Sequence, residues 1–103
     1  MAEKNESLQK LQVIEQTLHT YTAQRNSYQQ QLLEVENAIT EVSSAPESYR
    51  IIGNIMVKTE PQQLKTELEE KKTSLQTRIA SVERQEKKLR EEMQKLQDQI
   101  LGA

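Results

Sequence analysis

YRIIGNIMVKT, residues 49–59, differs in character from the chain on both sides of it. The flanking segments are polar and rich in Gln, Glu and Lys, whereas this stretch is mostly apolar and β-branched. Gly53 and Asn54 divide it into two short runs, and a Gly-Asn pair suits a two-residue turn that needs a positive φ. The sequence therefore predicts a β-hairpin over residues 49–59.

The predicted hairpin carries apolar side chains on both faces. The turn pairs Arg50 with Val57, and the other pairs follow from it. One face then presents Ile52, Ile55 and Val57, and the other presents Tyr49, Ile51 and Met56. A strand pair that is apolar on both faces and open at both edges is unstable alone in water. We therefore expect strands of partner chains to cover an assembly surface made of Tyr49, Ile51, Ile52, Gly53, Asn54, Ile55, Met56 and Val57.

A long helix is predicted before the hairpin, over about residues 7–43. Apolar residues recur there at steps of three and four, which is the spacing of the a and d positions of heptads. At about 1.5 Å per residue, the part from Leu11 to Val42 spans roughly 50 Å. Pro46 lacks the amide that a continuing helix needs, so the helix ends before it. The two rows are Leu11, Leu18, Arg25, Leu32 and Ile39, and Ile14, Tyr21, Tyr28, Val35 and Val42.

A second long helix is predicted after the hairpin, over about residues 60–101. Thr59 is the expected N-cap, with Gln62 as its reciprocal partner and Pro61 in the first turn. Pairs at i and i+4 such as Glu67 with Lys71 and Glu86 with Arg90 favour the helix weakly. Its two rows are Leu68, Leu75, Val82, Leu89 and Leu96, and Lys72, Ile79, Glu86, Met93 and Ile100. The chain is thus predicted to be one mainly α domain, 1–103, a long antiparallel two-helix coiled coil with a β-hairpin at the bend.

Composition argues against several classes of function. There is no Cys, a single His and a net charge of −2, so disulfides, zinc thiolate sites and a strong field for nucleic acid are not expected. His19 lacks neighbours at metal-ligand spacing, and Gly53 and Gly102 cannot form a phosphate loop. We expect no enzyme activity, no metal and no cofactor. No apolar run approaches the roughly 20 residues of a membrane span, and we expect a cytoplasmic protein.

The heptad rows of the two helices would meet in a seam. Arg25 and Glu86 are charged residues in these rows, near the middle of the predicted coiled coil. If the helices fold back on each other about the hairpin, these two residues fall in the same or adjacent layers. One interpretation is chance, with both side chains reaching solvent. The other is a register pair, which is tolerated because any slipped register leaves a charge without its partner.

The order of helix, short hairpin and helix resembles the β-type subunit of prefoldin, with the archaeal form most similar. The resemblance covers almost the whole chain and is strongest over residues 49–59 and 64–100. It rests on Tyr49, the Gly53-Asn54 pair and the Val57-Lys58 pair in the hairpin. It also rests on Arg84-Gln85-Glu86 within RIASVERQEKKLREEMQKLQDQI, residues 78–100.

The resemblance implies a cytosolic, ATP-independent chaperone. Two α-type and four β-type subunits would join their hairpins into a platform of β-barrels, giving an α2β4 hexamer. The free ends of the coiled coils would hold unfolded proteins and pass them to a group II chaperonin. The residues that would form this client-binding tip here are Leu8, Leu11, Val13, Ile14, Leu96, Ile100 and Leu101. The alternative is a structural coiled-coil adaptor that joins partners through its sheet and binds no clients.

Overall fold

The computed structural model of the protein describes residues 2–102. Its elements follow one another as α1 (Ala2–Ser44), β1 (Ser48–Ile52), β2 (Ile55–Thr59) and α2 (Pro61–Gly102). The predicted mainly α fold, with two long helices and a hairpin between them, is confirmed. α1 begins at Ala2, five residues before the predicted start at residue 7. The sequence did not predict this earlier start, because residues 2–6 have no apolar periodicity. Glu3 in the first turn favours that earlier start through the helix dipole.

The described residues divide into two compact units. One contains residues 2–27 of α1 and 79–102 of α2, and the other is Tyr28–Arg78, with the hairpin. In the first unit the two helical segments are antiparallel, since Ile14 and Leu96 line one groove while Arg25 contacts Glu86. In the second unit, Arg78 lies over the ring of Tyr28, with its guanidinium carbon 5.9 Å from the ring centroid.

The heptad rows predicted from sequence are the buried rows of both helices. All twenty of their residues are buried or half-buried. The most enclosed apolar members are Val35, Val42, Leu75, Ile79 and Val82. Burial therefore follows the a and d spacing along each helix, as expected for a narrow coiled-coil seam.

The hairpin has the predicted register. β1 and β2 are antiparallel, and Ile52 pairs with Ile55, Ile51 with Met56 and Arg50 with Val57. Gly53 has a φ of +59°, and no other residue among 2–102 has a positive φ. A positive φ at the first turn position alone is the pattern of a type II′ turn, which matches the right-handed twist of a hairpin.

The N-cap prediction for α2 is wrong. Thr59 is the last residue of β2, and its hydroxyl donates to the Val57 carbonyl at 3.4 Å. Glu60 occupies the cap position, because its carbonyl accepts the amide of Leu64 at 3.0 Å, and Pro61 is the first helical residue. Pairing with Ser48 across the hairpin keeps Thr59 in the strand.

Candidate functional site

The hairpin exposes its apolar side chains on both faces. Ile51 and Met56 on one face are 72% and 66% exposed, and Ile52 and Ile55 on the other are 57% and 65% exposed. Tyr49 and Val57 are also exposed. The six predicted side chains therefore form apolar surfaces on the two opposite faces of a single two-stranded sheet. Exposed apolar surfaces of this kind are typical of sites of contact with other proteins, and the role of these residues in assembly stays a prediction.

Polar side chains hold the base of the hairpin. The buried hydroxyl of Ser48 donates to the carbonyl of Thr59. Arg50 forms an ion pair with Glu67 of α2, so Glu67 contacts the hairpin and not Lys71 as the sequence predicted. These contacts tie β1 both to β2 and to the first turns of α2.

Glu47 lies just before β1, and its carboxylate contacts one side chain of each strand. The Tyr49 hydroxyl donates to Glu47 Oε2 at 2.8 Å, and Lys58 Nζ lies 3.9 Å from Glu47 Oε1. Because loss of the phenol proton would place two negative charges side by side, the hydrogen bond raises the pKa of Tyr49 above its usual value.

An open groove lies between the ends of the two helices in the unit formed by residues 2–27 and 79–102. Its volume is about 650 Å³, and Val13, Ile14 and Leu96 supply its apolar lining. Val13 is 61% exposed. The charged groups along the groove are Glu6, Lys10, Glu92 and Lys95, two of each sign. The groove therefore offers an apolar surface without a net charge that would select the charge of a ligand.

The other residues predicted for the tip occupy different environments. Leu8 is 42% exposed and Leu101 is 85% exposed. Leu11 and Ile100 are half-buried, and Ile100 lines a second, more polar groove with Glu3, Lys4 and Gln99. The structure thus brings Val13, Ile14 and Leu96 together in one groove. The binding of clients by any of these residues stays a prediction.

A polar cluster interrupts the apolar seam, and its centre is Glu86. This residue is 1% exposed and has the largest fully buried side chain among the described residues. Arg25 Nε lies 2.7 Å from Glu86 Oε1, although its N–H is not aligned for a hydrogen bond. The Thr22 hydroxyl donates to Glu86 Oε2 at 3.1 Å, and Arg90 Nη2 lies 3.3 Å from the same oxygen. The two seam charges therefore meet, in the company of two further polar residues.

Sequence reasoning missed three residues of interest. Thr22 precedes Arg25 by three residues and so shares its helix face, but this spacing does not show that its hydroxyl reaches Glu86. Arg90 was identified as an i+4 partner of Glu86, but not as part of a seam cluster. Leu33 is 58% exposed on α1, and it follows Leu32, which occupies the seam. Two adjacent leucines cannot both lie on one narrow seam, so this exposure was predictable.

Two kinds of feature are absent from residues 2–102. Neither helix contains a stretch that is long and apolar enough to cross a membrane. The described residues contain no group of three or more His, Asp or Glu that could hold a metal ion.

The chain is similar to a known protein family and to solved structures. Residues 5–102 match the family described as Prefoldin subunit. The fold is similar to that of the prefoldin beta subunit from Thermococcus strain KS-1, solved by crystallography, with a TM-score of 0.93 and 32% sequence identity. The match covers 99% of this chain and 92% of the Thermococcus chain. Among curated protein sequences, none is significantly similar to this one.

Proposed function

Because the chain belongs to the prefoldin family of subunits, a chaperone family, we propose that it holds unfolded proteins and delivers them to a group II chaperonin without using ATP. The observation that carries this proposal is the apolar groove of Val13, Ile14 and Leu96 at the helix ends. An unfolded chain exposes apolar segments without a fixed shape. An open apolar groove without a net charge along its rim suits such a ligand.

Membership of the prefoldin family implies assembly with other prefoldin subunits, and we propose the α2β4 hexamer with an α-type partner. The two exposed apolar faces of the hairpin support this proposal, because strands of neighbouring subunits would remove them from water. The free edges of β1 and β2 supply unpaired backbone groups for the same contacts.

Assembly also explains how weak sites could hold a client. A single groove with three apolar residues offers a small contact area. Several copies in one complex turn each later contact into an intramolecular one, and the combined affinity then exceeds that of one groove by orders of magnitude. We therefore expect holding by several helix ends together.

Suppression of aggregation tests the proposal against the adaptor alternative. The chain, assembled with a co-expressed α-type subunit, is mixed with two or three unrelated unfolded proteins in the absence of nucleotide. A chaperone suppresses their aggregation at near-stoichiometric ratios. An assembled complex that leaves every one of these proteins to aggregate would favour the adaptor and contradict the proposed function.

A further inference from the structure

The groove at the helix ends requires one particular alignment of the two helices. Val13 and Ile14 come from α1, whereas Leu96 comes from α2. An apolar heptad pattern repeats every seven residues, so it is also compatible with a helix displaced by one heptad, on the order of 10 Å. The apolar spacing alone therefore does not specify which residues meet in the groove.

The polar cluster around Glu86 can specify which residues of the two helices meet. We propose that Thr22 and Arg25 of α1 and Glu86 of α2 act as positioning residues that select the register of the segments 2–27 and 79–102, and thereby assemble the groove. The contacts of 2.7 Å from Arg25 and 3.1 Å from Thr22 cross from α1 to the Glu86 carboxylate, whereas the 3.3 Å contact of Arg90 lies within α2 and does not depend on the register. The link to client binding rests on the proposed function, whereas the choice of register does not.

The physical reason is the cost of an unpaired charge in a seam. Arg25 and Glu86 each replace an apolar residue in a heptad row, so a displacement by one heptad would put Glu86 beside an apolar residue such as Leu18. The carboxylate would then lose Thr22 and Arg25 and keep only Arg90 of its own helix while still buried, which is unfavourable. The cluster adds little net stability over an apolar pair, because desolvation offsets most of the attraction. Its effect is to make the registers displaced by one heptad unfavourable.

Distances between spin labels test this inference in the assembled complex. The chain has no Cys, so Glu15→Cys and Gln85→Cys introduce the two labels at exposed positions. The labelled chain is diluted with unlabelled chain, so that distances within one subunit dominate. With the cluster intact, we expect one narrow distance distribution. In the Arg25→Leu/Glu86→Leu variant, which should remain folded, we expect a second population displaced by on the order of 10 Å.

Glu83→Leu is the matched control, since it removes an exposed carboxylate of the same helix outside the seam. This variant should keep the single distance. Thermal unfolding separates positioning from simple stabilisation, because the double leucine variant should melt no earlier than the parent while its register becomes mixed. A single unchanged distance in the double leucine variant would overturn the inference. Failure of the parent complex to suppress aggregation would instead contradict the proposed function and leave the register result intact.

Discussion

Glu86 has surroundings that differ from those of every other acidic residue described. The other carboxylates are exposed or half-buried, whereas this one is enclosed at a seam position. A carboxylate in that position requires partners, and it has Arg25 and Thr22 from α1 together with Arg90 from its own helix. The charges at Arg25 and Glu86 thus form one interacting unit and not two independent exceptions to the heptad pattern.

This coupling predicts a non-additive response to substitution. Glu86→Ala should destabilise by about 3 kcal/mol, because both arginines lose a partner in or near the seam. Arg25→Ala should cost less, since its side chain is 28% exposed. The double variant should cost less than the sum, by about 0.5–3 kcal/mol in a double-mutant cycle of chemical unfolding. Additive costs within error would indicate two unrelated charges.

For single residues, the sequence predicts the structure well where the heptad position alone decides whether a side chain lies in the seam. Heptad spacing placed Arg25 and Glu86 in the seam, and two charges in adjacent layers of an antiparallel pair were expected to meet. The spacing did not reveal the part played by Thr22, nor the contact of Arg50 with Glu67. Both depend on how far a side chain reaches toward another element, which a linear pattern of residue types does not encode.

At the scale of elements, the hairpin is the part whose apolar side chains are most exposed. Residues 51, 52, 55, 56 and 57 are apolar and exposed on one two-stranded sheet, and such a sheet has little stability of its own. The helices differ, because each buries a continuous row of heptad positions. Damage to the hairpin faces should therefore affect assembly far more than helicity.

Charge placed on the hairpin tests this expectation. Ile52→Asp or Val57→Asp should abolish assembly with the α-type subunit, because burying an unpaired carboxylate in a subunit interface is costly. Native mass spectrometry reports the assembly, and circular dichroism should show that most helicity remains. Val57→Ile, which keeps an apolar β-branched residue, is the matched control and should assemble. If either Asp variant formed an unchanged oligomer, these faces would not be the subunit interface.

The elements themselves were largely predictable. Gly53 and Asn54 fixed the turn, and a two-residue turn determines the pairing of every residue on both strands. The ends of elements were less predictable. The polar residues before Leu8 gave no periodic signal for the start of α1, and Thr59 has the side chain of a helix cap but is paired in β2.

At the scale of the whole molecule, one chain carries two apolar surfaces in different parts of its sequence. The hairpin surface lies within residues 48–59, and the groove is formed by residues 6–14 and 92–99. Neither surface shares a residue with the other. A subunit of this kind can therefore lose one surface by substitution while the residues of the other stay unchanged, so assembly and client holding can be tested separately.

Aggregation suppression by complexes altered at the helix ends is the most direct test of the proposed chaperone role. The variant Leu8→Ser/Val13→Ser/Ile100→Ser/Leu101→Ser removes apolar side chains without adding charge. The control Leu33→Ser removes an exposed leucine that lies outside both apolar surfaces. Both should assemble with the α-type subunit to the normal mass. The variant at the helix ends should lose most of its suppression of aggregation, whereas Leu33→Ser should retain it. Full suppression by an intact complex of the first variant would contradict client binding at the helix ends.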